Sequence, residues 1–200
     1  MEDYHDETGS GLTVLHRKND QYLLVKHGPF GGEHDHYDKL EFSYACEGKN
    51  VSTDLGTTGY GARLHYDYFK NTVSHNTIVM DEENQTPACG RIRRFENSPE
   101  YALVDAETTW SKDYQVPDSF IIRQWSDEAY EGAYFRRQII FSDDFIVDVE
   151  TAVCPRPSFD VHGAERKYAA KAARPGTASR EKPPLLDCIR SVNMKAEQMF

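Results

Sequence analysis

Apolar and polar residues alternate with a period of two along much of this chain, the mark of strands that bury one face. The pattern is plainest over 40–46, where Leu40, Phe42, Tyr44 and Cys46 alternate with Glu41, Ser43 and Ala45. Apolar and β-branched runs over 12–16 and 22–26 flank Asn19-Asp20, a hairpin signal. Gly48-Lys49-Asn50 turns the chain into a predicted strand over 51–55, and Ser142-Asp143-Asp144 joins predicted strands over 134–141 and 145–149. Further strands are predicted over 77–80, 91–95, 101–105 and 120–125. Arg136, Arg137 and Gln138 alternate badly with Ile139, Ile140 and Phe141, which predicts a bulge or an edge position. No strong helical period appears. Residues 56–71 are too irregular for a strand, and a loop of that length points to function. The fold class is all-β: an antiparallel β-sandwich of many short strands, with a barrel satisfying the same pattern.

Composition narrows the picture. The chain has 200 residues, enough for one domain with a proper core. Residues 1–11 read as an N-terminal extension, 12–163 as the β-sandwich domain and 164–200 as an irregular basic tail. The tail is expected to be partly disordered, with a short helix over 168–173. A net charge of −10 excludes nucleic acid and anionic membrane surfaces as partners, so any anionic substrate must meet a local cluster of cations. The 12 Tyr and 10 Phe suit strands and sugar-binding surfaces. Four cysteines without a CxxC pair exclude zinc-ribbon and thioredoxin sites, leaving buried thiols or disulfides open. No run reaches transmembrane length and no export signal is evident, so localisation stays open.

Candidate chemistry gathers in 31–42 and downstream. On an extended segment His34 and His36 project to one face, so a single strand offers two imidazoles to one point. Asp54 and His75 open neighbouring strands and complete a set suited to a metal such as zinc. One histidine serves equally well as a base near neutral pH. The plainer alternative is a pair of surface histidines hydrogen-bonded to Glu33, Asp35 and Asp38. Gly28, His34, His36, Glu41 and Gly48 also fall at the intervals of a cupin metal motif. Gly59, His65 and Asn71 fit the second cupin motif poorly, and that reading leaves Asp54 and His75 unexplained. Glu41 is in register with Ser43 and Ala45, so it is predicted to face solvent.

The runs His27-Gly28-Pro29-Phe30-Gly31-Gly32, His34 through Phe42, Asp54-Leu55-Gly56-Thr57 with Tyr60-Gly61, and Ser74-His75-Asn76-Thr77-Ile78 with Asp81 occur in order. Together with Asp144 through Asp148 and Asp160-Val161-His162-Gly163, they resemble the heparinase II/III-like polysaccharide lyases over about 12–163. The resemblance implies a C-terminal antiparallel β-sandwich that packs against an N-terminal α/α toroid. It also implies β-elimination on uronic-acid polysaccharides such as alginate or glycosaminoglycans, so the expected partner is an acidic polysaccharide or oligosaccharide. His36, Asp54 and His75 match the zinc ligands of the family, the zinc being largely structural. His34 matches the catalytic histidine, and Tyr66 or Tyr68 is a looser match for a tyrosine that approaches substrate. Arg63, Arg91, Arg93 and Arg94 are candidates for gripping the polymer, or are simply solvated arginines on strand faces. The family's toroid supplies a tyrosine acid/base and a further His or Asn. This chain begins just before the sandwich, so it is expected to be incomplete as a lyase on its own. The alternatives are a cupin-type metal enzyme and a non-catalytic carbohydrate-binding module.

Overall fold

A computed structural model describes residues 4–5, 10–117, 121–154, 161–162, 189–191 and 195–196 of the chain. Strands β1 (Tyr4–His5), β2 (Leu12–Arg17), β3 (Gln21–Lys26), β4 (Phe42–Cys46) and β5 (Lys49–Ser52) form one antiparallel sheet in chain order. β6 (Val79–Met80) follows, then β7 (Arg91–Asn97), β8 (Tyr101–Thr109), β9 (Tyr134–Ser142) and β10 (Ile146–Val153). These last four make an antiparallel meander. β11 (Val161–His162) pairs with β6, while β12 (Ile189–Ser191) and β13 (Lys195–Ala196) lie parallel to β10. The helix expected over 168–173 lies outside the described residues.

Local chemistry explains the hairpins. Asn19 and Asp20 take left-handed backbone angles, which their short polar side chains tolerate, and so close the β2–β3 turn. Glu47 and Gly48 do the same between β4 and β5, so that turn sits one residue earlier than Gly48-Lys49-Asn50. Asp143 and Asp144 span the β9–β10 turn, where the Ser142 N–H donates to the Phe145 carbonyl at 3.0 Å. Gly11 and Gly28 touch backbone to backbone at the start of β2: a Cβ on Gly11 would stand 2.0 Å from the Gly28 Cα.

The sandwich core lies between the sheets. Leu15, Leu23, Val25, Tyr44 and Cys46 face Ala102, Val104, Ile139, Phe141 and Ile146. The Tyr44 and Phe141 rings meet edge to face, 6.0 Å between centres. Each such buried side chain contributes about 1.5–3 kcal/mol of transfer free energy. A second cluster of Leu40, Ile78, Met80, Trp110, Tyr130 and Phe135 closes one end of the sandwich. There the polar tips of the aromatic residues are satisfied: Trp110 Nε1 donates to the Thr86 carbonyl (3.1 Å) and the Tyr130 hydroxyl to that of Glu83 (3.1 Å). Cys46 and Cys154 are buried free thiols and Cys89 is an exposed one. Among the described residues, no helix is long and apolar enough to cross a membrane.

Three expectations are corrected. β9 is neither bulged nor at an edge, since it pairs in unbroken register with β8 and β10. Its poor alternation arises because Arg137 points inward, and the register shifts fall in the β4–β5 and β7–β8 pairs instead. Residues 121–125 form no strand, because their backbone is used by the loop opposite: the Ile122 N–H donates to Glu33 at 2.7 Å. A single α-turn, Asp127–Tyr130, follows them. The irregular 56–71 segment contains a π-helical turn, His65–Phe69, which leads into a 3-10 turn, Thr72–Ser74.

Candidate functional site

The segment joining β3 to β4 lies on a floor of buried charge. Asp35 accepts the Gly31 N–H at 2.8 Å and pairs with Lys26 and with Lys39 (3.3 Å). Lys26 also reaches Asp38 at 2.7 Å. Burial opposes ionisation of Asp35, but Lys39 and Lys26 hold its carboxyl well below the usual carboxylate range. Burial in turn pushes the Lys39 amine down. From the next segment, Lys70 donates to the Glu33 carbonyl at 2.5 Å and lies over the Tyr37 and Tyr66 rings. Thr72 and Thr77 hydroxyls donate to the Tyr37 and Lys39 carbonyls at 2.7 and 2.6 Å. These bonds lock 33–41 against 70–77.

His34 and His36 do not share an extended strand, because His34 lies in a turn. His34 is exposed and packs edge-on against Tyr60, 4.3 Å between centres. His36 is half-buried and lies 5.1 Å from the His75 ring. His75 follows the 3-10 turn, its N–H donating to the Thr72 carbonyl at 3.1 Å. Asp54 sits just past β5, where its carboxylate accepts the Gly56 N–H at 2.7 Å. Ligand atoms of His36, Asp54 and His75 all lie within 4.8 Å of one another, and Asp38, Glu41, Asp54 and His75 form an overlapping group.

Glu41 is corrected outright. It is 2% exposed, and its Oε2 stands 2.9 Å from His75 Nδ1. Leu40 has a left-handed backbone (φ 59°) and β4 starts only at Phe42, so the strand period does not reach Glu41. The one sequence signal for its inward position was the cupin spacing.

The donor set suits a divalent ion. His75 Nε2 and Glu41 Oε1 are buried without a hydrogen-bond partner, a costly state that a bound cation would relieve. Burial, with His75 nearby, lowers the His36 pKa to about 4, so its lone pair is free at neutral pH. Burial works against a charged His75, yet the Glu41 carboxylate overcomes it and raises that pKa. Burial likewise pushes the Glu41 carboxyl up. Two imidazoles and a carboxylate are what zinc accepts.

His65 joins the group from the π-helical turn. It is fully buried, its Nδ1 lies 2.8 Å from the Thr57 hydroxyl, and its ring touches those of Tyr60, Tyr66 and His36. Sequence offered it only as a poor second cupin histidine. The Tyr66 hydroxyl donates to Glu33 at 2.9 Å, whereas Tyr68 is exposed and packs on Phe69. The four candidate arginines are ion-paired: Arg63 with Asp67, Arg91 and Arg93 with Glu107, Arg94 with Glu96. A cleft of about 320 Å³ lined by Pro29, Phe30, Pro87, Cys89 and Tyr114 includes none of the histidines.

The two sheets thus carry the His36, Asp54 and His75 group on the segments that join and follow their strands. Residues 3–155 match the family model for the heparinase II/III-like C-terminal domain, and the chain belongs to that family. An alginate lyase of Stenotrophomonas maltophilia is 28% identical, over 68% of this chain and 19% of that protein. A heparinase III gene product has a similar fold, with a TM-score of 0.59 at 18% identity, covering 77% of this chain and 22% of that one. The heparan sulfate lyase HepC from Pedobacter heparinus gives 0.58 at 17% identity, covering 74% and 21%. The chain thus spans about a fifth of the length of these relatives. Nothing in the fold or the relatives favours a cupin.

Proposed function

We propose that this chain is the β-sandwich part of a polysaccharide lyase that cleaves uronic-acid polymers, alginate or a glycosaminoglycan, by β-elimination. The observation that carries this reading is the convergence of His36, Asp54 and His75, linked through the His65 and Tyr60 rings to the exposed His34. Zinc held by those three residues would supply a fixed charge that cross-links the β3–β4 loop, the end of β5 and the His75 segment. The other roles fall to the chain's own groups. β-Elimination beside a carboxylate requires loss of the C5 proton, stabilisation of the developing enolate, and protonation of the leaving glycosidic oxygen. His34 removes that proton or hydrogen-bonds the enolate, with Tyr60 holding its ring. Tyr66, whose hydroxyl proton points to Glu33, is better tied into this group than Tyr68. The remaining acid/base groups come from an α/α toroid domain, as family architecture suggests.

The test has two readouts. The purified chain is expected to hold one zinc per molecule by elemental analysis, and His75→Ala to hold none. Joined to a relative's toroid, it is expected to release unsaturated uronate, seen by ultraviolet absorbance, with His34→Ala keeping zinc but losing product. A metal-free parent chain removes the zinc reading. Polymer binding without cleavage, even with the toroid present, makes the chain a binding module.

A further inference from the structure

Arg137 lies on the inward face of β9 between Phe135 and Ile139, where the alternation asks for an apolar side chain, and it is 1% exposed. Replacing buried ion-pair groups with hydrophobes of similar volume is often neutral or stabilising, because desolvating a guanidinium is costly. Stability alone therefore gives no reason for an arginine here. Its donors are divided among four acceptors. Nε donates to Asp148 at 3.1 Å, Nη2 to Glu150, and Nη1 to the carbonyls of Leu40 and Asn76, the latter at 2.6 Å. Asp148 and Glu150 both stand on β10, beside β9, and the Phe42 and Phe135 rings flank the guanidinium at 5.0 and 5.5 Å.

The two carbonyls belong to separate segments of the site. Leu40 immediately precedes Glu41, and Asn76 immediately follows His75. Leu40 also adopts a backbone conformation that leucine rarely takes, so its carbonyl needs an outside partner to hold its direction. We propose that Arg137 is a positioning residue: it staples the 36–41 segment to the 75–77 segment and thereby sets how His36 and Glu41 face His75. The inference rests on the metal reading above only for the ligand that the geometry serves. Lysine cannot replace it, since one ammonium lacks the planar fork that reaches two carbonyls and two carboxylates together.

The test compares the full chain with two variants, Arg137→Lys and the triple Arg137→Met, Asp148→Asn, Glu150→Gln, which leaves no buried carboxylate unpaired. Zinc affinity is measured against a chromophoric chelator, and amide hydrogen exchange is followed without zinc. The triple variant is expected to bind zinc about 10-fold to 100-fold more weakly, with Arg137→Lys between it and the parent. Exchange is expected to rise about tenfold or more in 36–42 and 72–78 while 101–109 and 134–141 stay protected. Parental exchange and affinity in both variants would overturn the staple, and so would a uniform rise across both sheets, which marks a general stabiliser. If the triple variant does not fold, Arg137→Lys decides by the same two measurements. Absence of zinc from the parent chain sinks the metal reading, while the exchange pattern still decides on Arg137.

Discussion

Between the sheets, Leu15, Leu23, Val104 and Phe141 fill the space with apolar side chains, whereas beside the histidines Lys39, Lys70 and Arg137 occupy positions just as deeply buried. Apolar burial is non-directional, so the first region gains free energy without fixing any one atom. Buried charges cost desolvation and repay it only in good geometry, so the second region trades stability for defined atomic positions. The sheets therefore hold the molecule together, and the polar end holds the His-Asp-His group in place.

Truncating the core is the strongest way to test that contrast. Phe141→Ala is expected to destabilise by about 3–5 kcal/mol in urea titration while leaving metal stoichiometry unchanged in the folded fraction. Loss of zinc from folded Phe141→Ala would break the division of labour.

A smaller effect should come from Asp148. Burial raises its carboxyl from the ordinary 3.8 to about 6, against the pull of Arg137. The proton is thus favoured in the folded state. Its stabilising contribution is complete below about pH 4 and is lost as pH rises through about 6. Asp148→Asn removes this loss, so the variant should gain on the parent by about 3 kcal/mol in all as pH rises from below 4 to above 6, and run parallel to it from there. Parallel curves throughout would show that Asp148 has no raised pKa.

The smallest effect is expected at the surface. Arg63 and Asp67 form a pair four residues apart, 2.7 Å between charged atoms, with the Arg63 side chain 91% exposed. Arg63→Ala should change stability by less than about 0.5 kcal/mol in thermal melts, since solvent screens such pairs. A larger loss would mean that charge in general, rather than buried charge, supports the site end.

Much of this was legible in the sequence because it was local. Asn19-Asp20 and Asp143-Asp144 closed the hairpins they signalled, and the apolar run over 22–26 falls in β3, where Leu23 and Val25 face inward. His36, Asp54 and His75 were grouped by their spacing, and the family resemblance matched those three to zinc ligands; their ligand atoms lie within 4.8 Å of one another. What escaped was set by distant partners. Glu41 is turned inward by the left-handed Leu40 and met by His75, and no window of alternation contains that information. Arg137 disturbed the pattern of β9, and its inward orientation depends on Asp148, Glu150 and two remote carbonyls. Residues 121–125 have strand composition but give their backbone to Glu33 and Asn84 instead of to a ladder.

The contact between Gly11 and Gly28 bears on any attempt to transplant this loop. Gly11 stands where the chain enters β2 and Gly28 just after it leaves β3, and neither tolerates a side-chain carbon. A host sandwich that receives residues 29–41 must therefore also receive both glycines. With bulkier residues in the recipient, its first two long strands would be wedged apart and the grafted histidines would arrive misaligned.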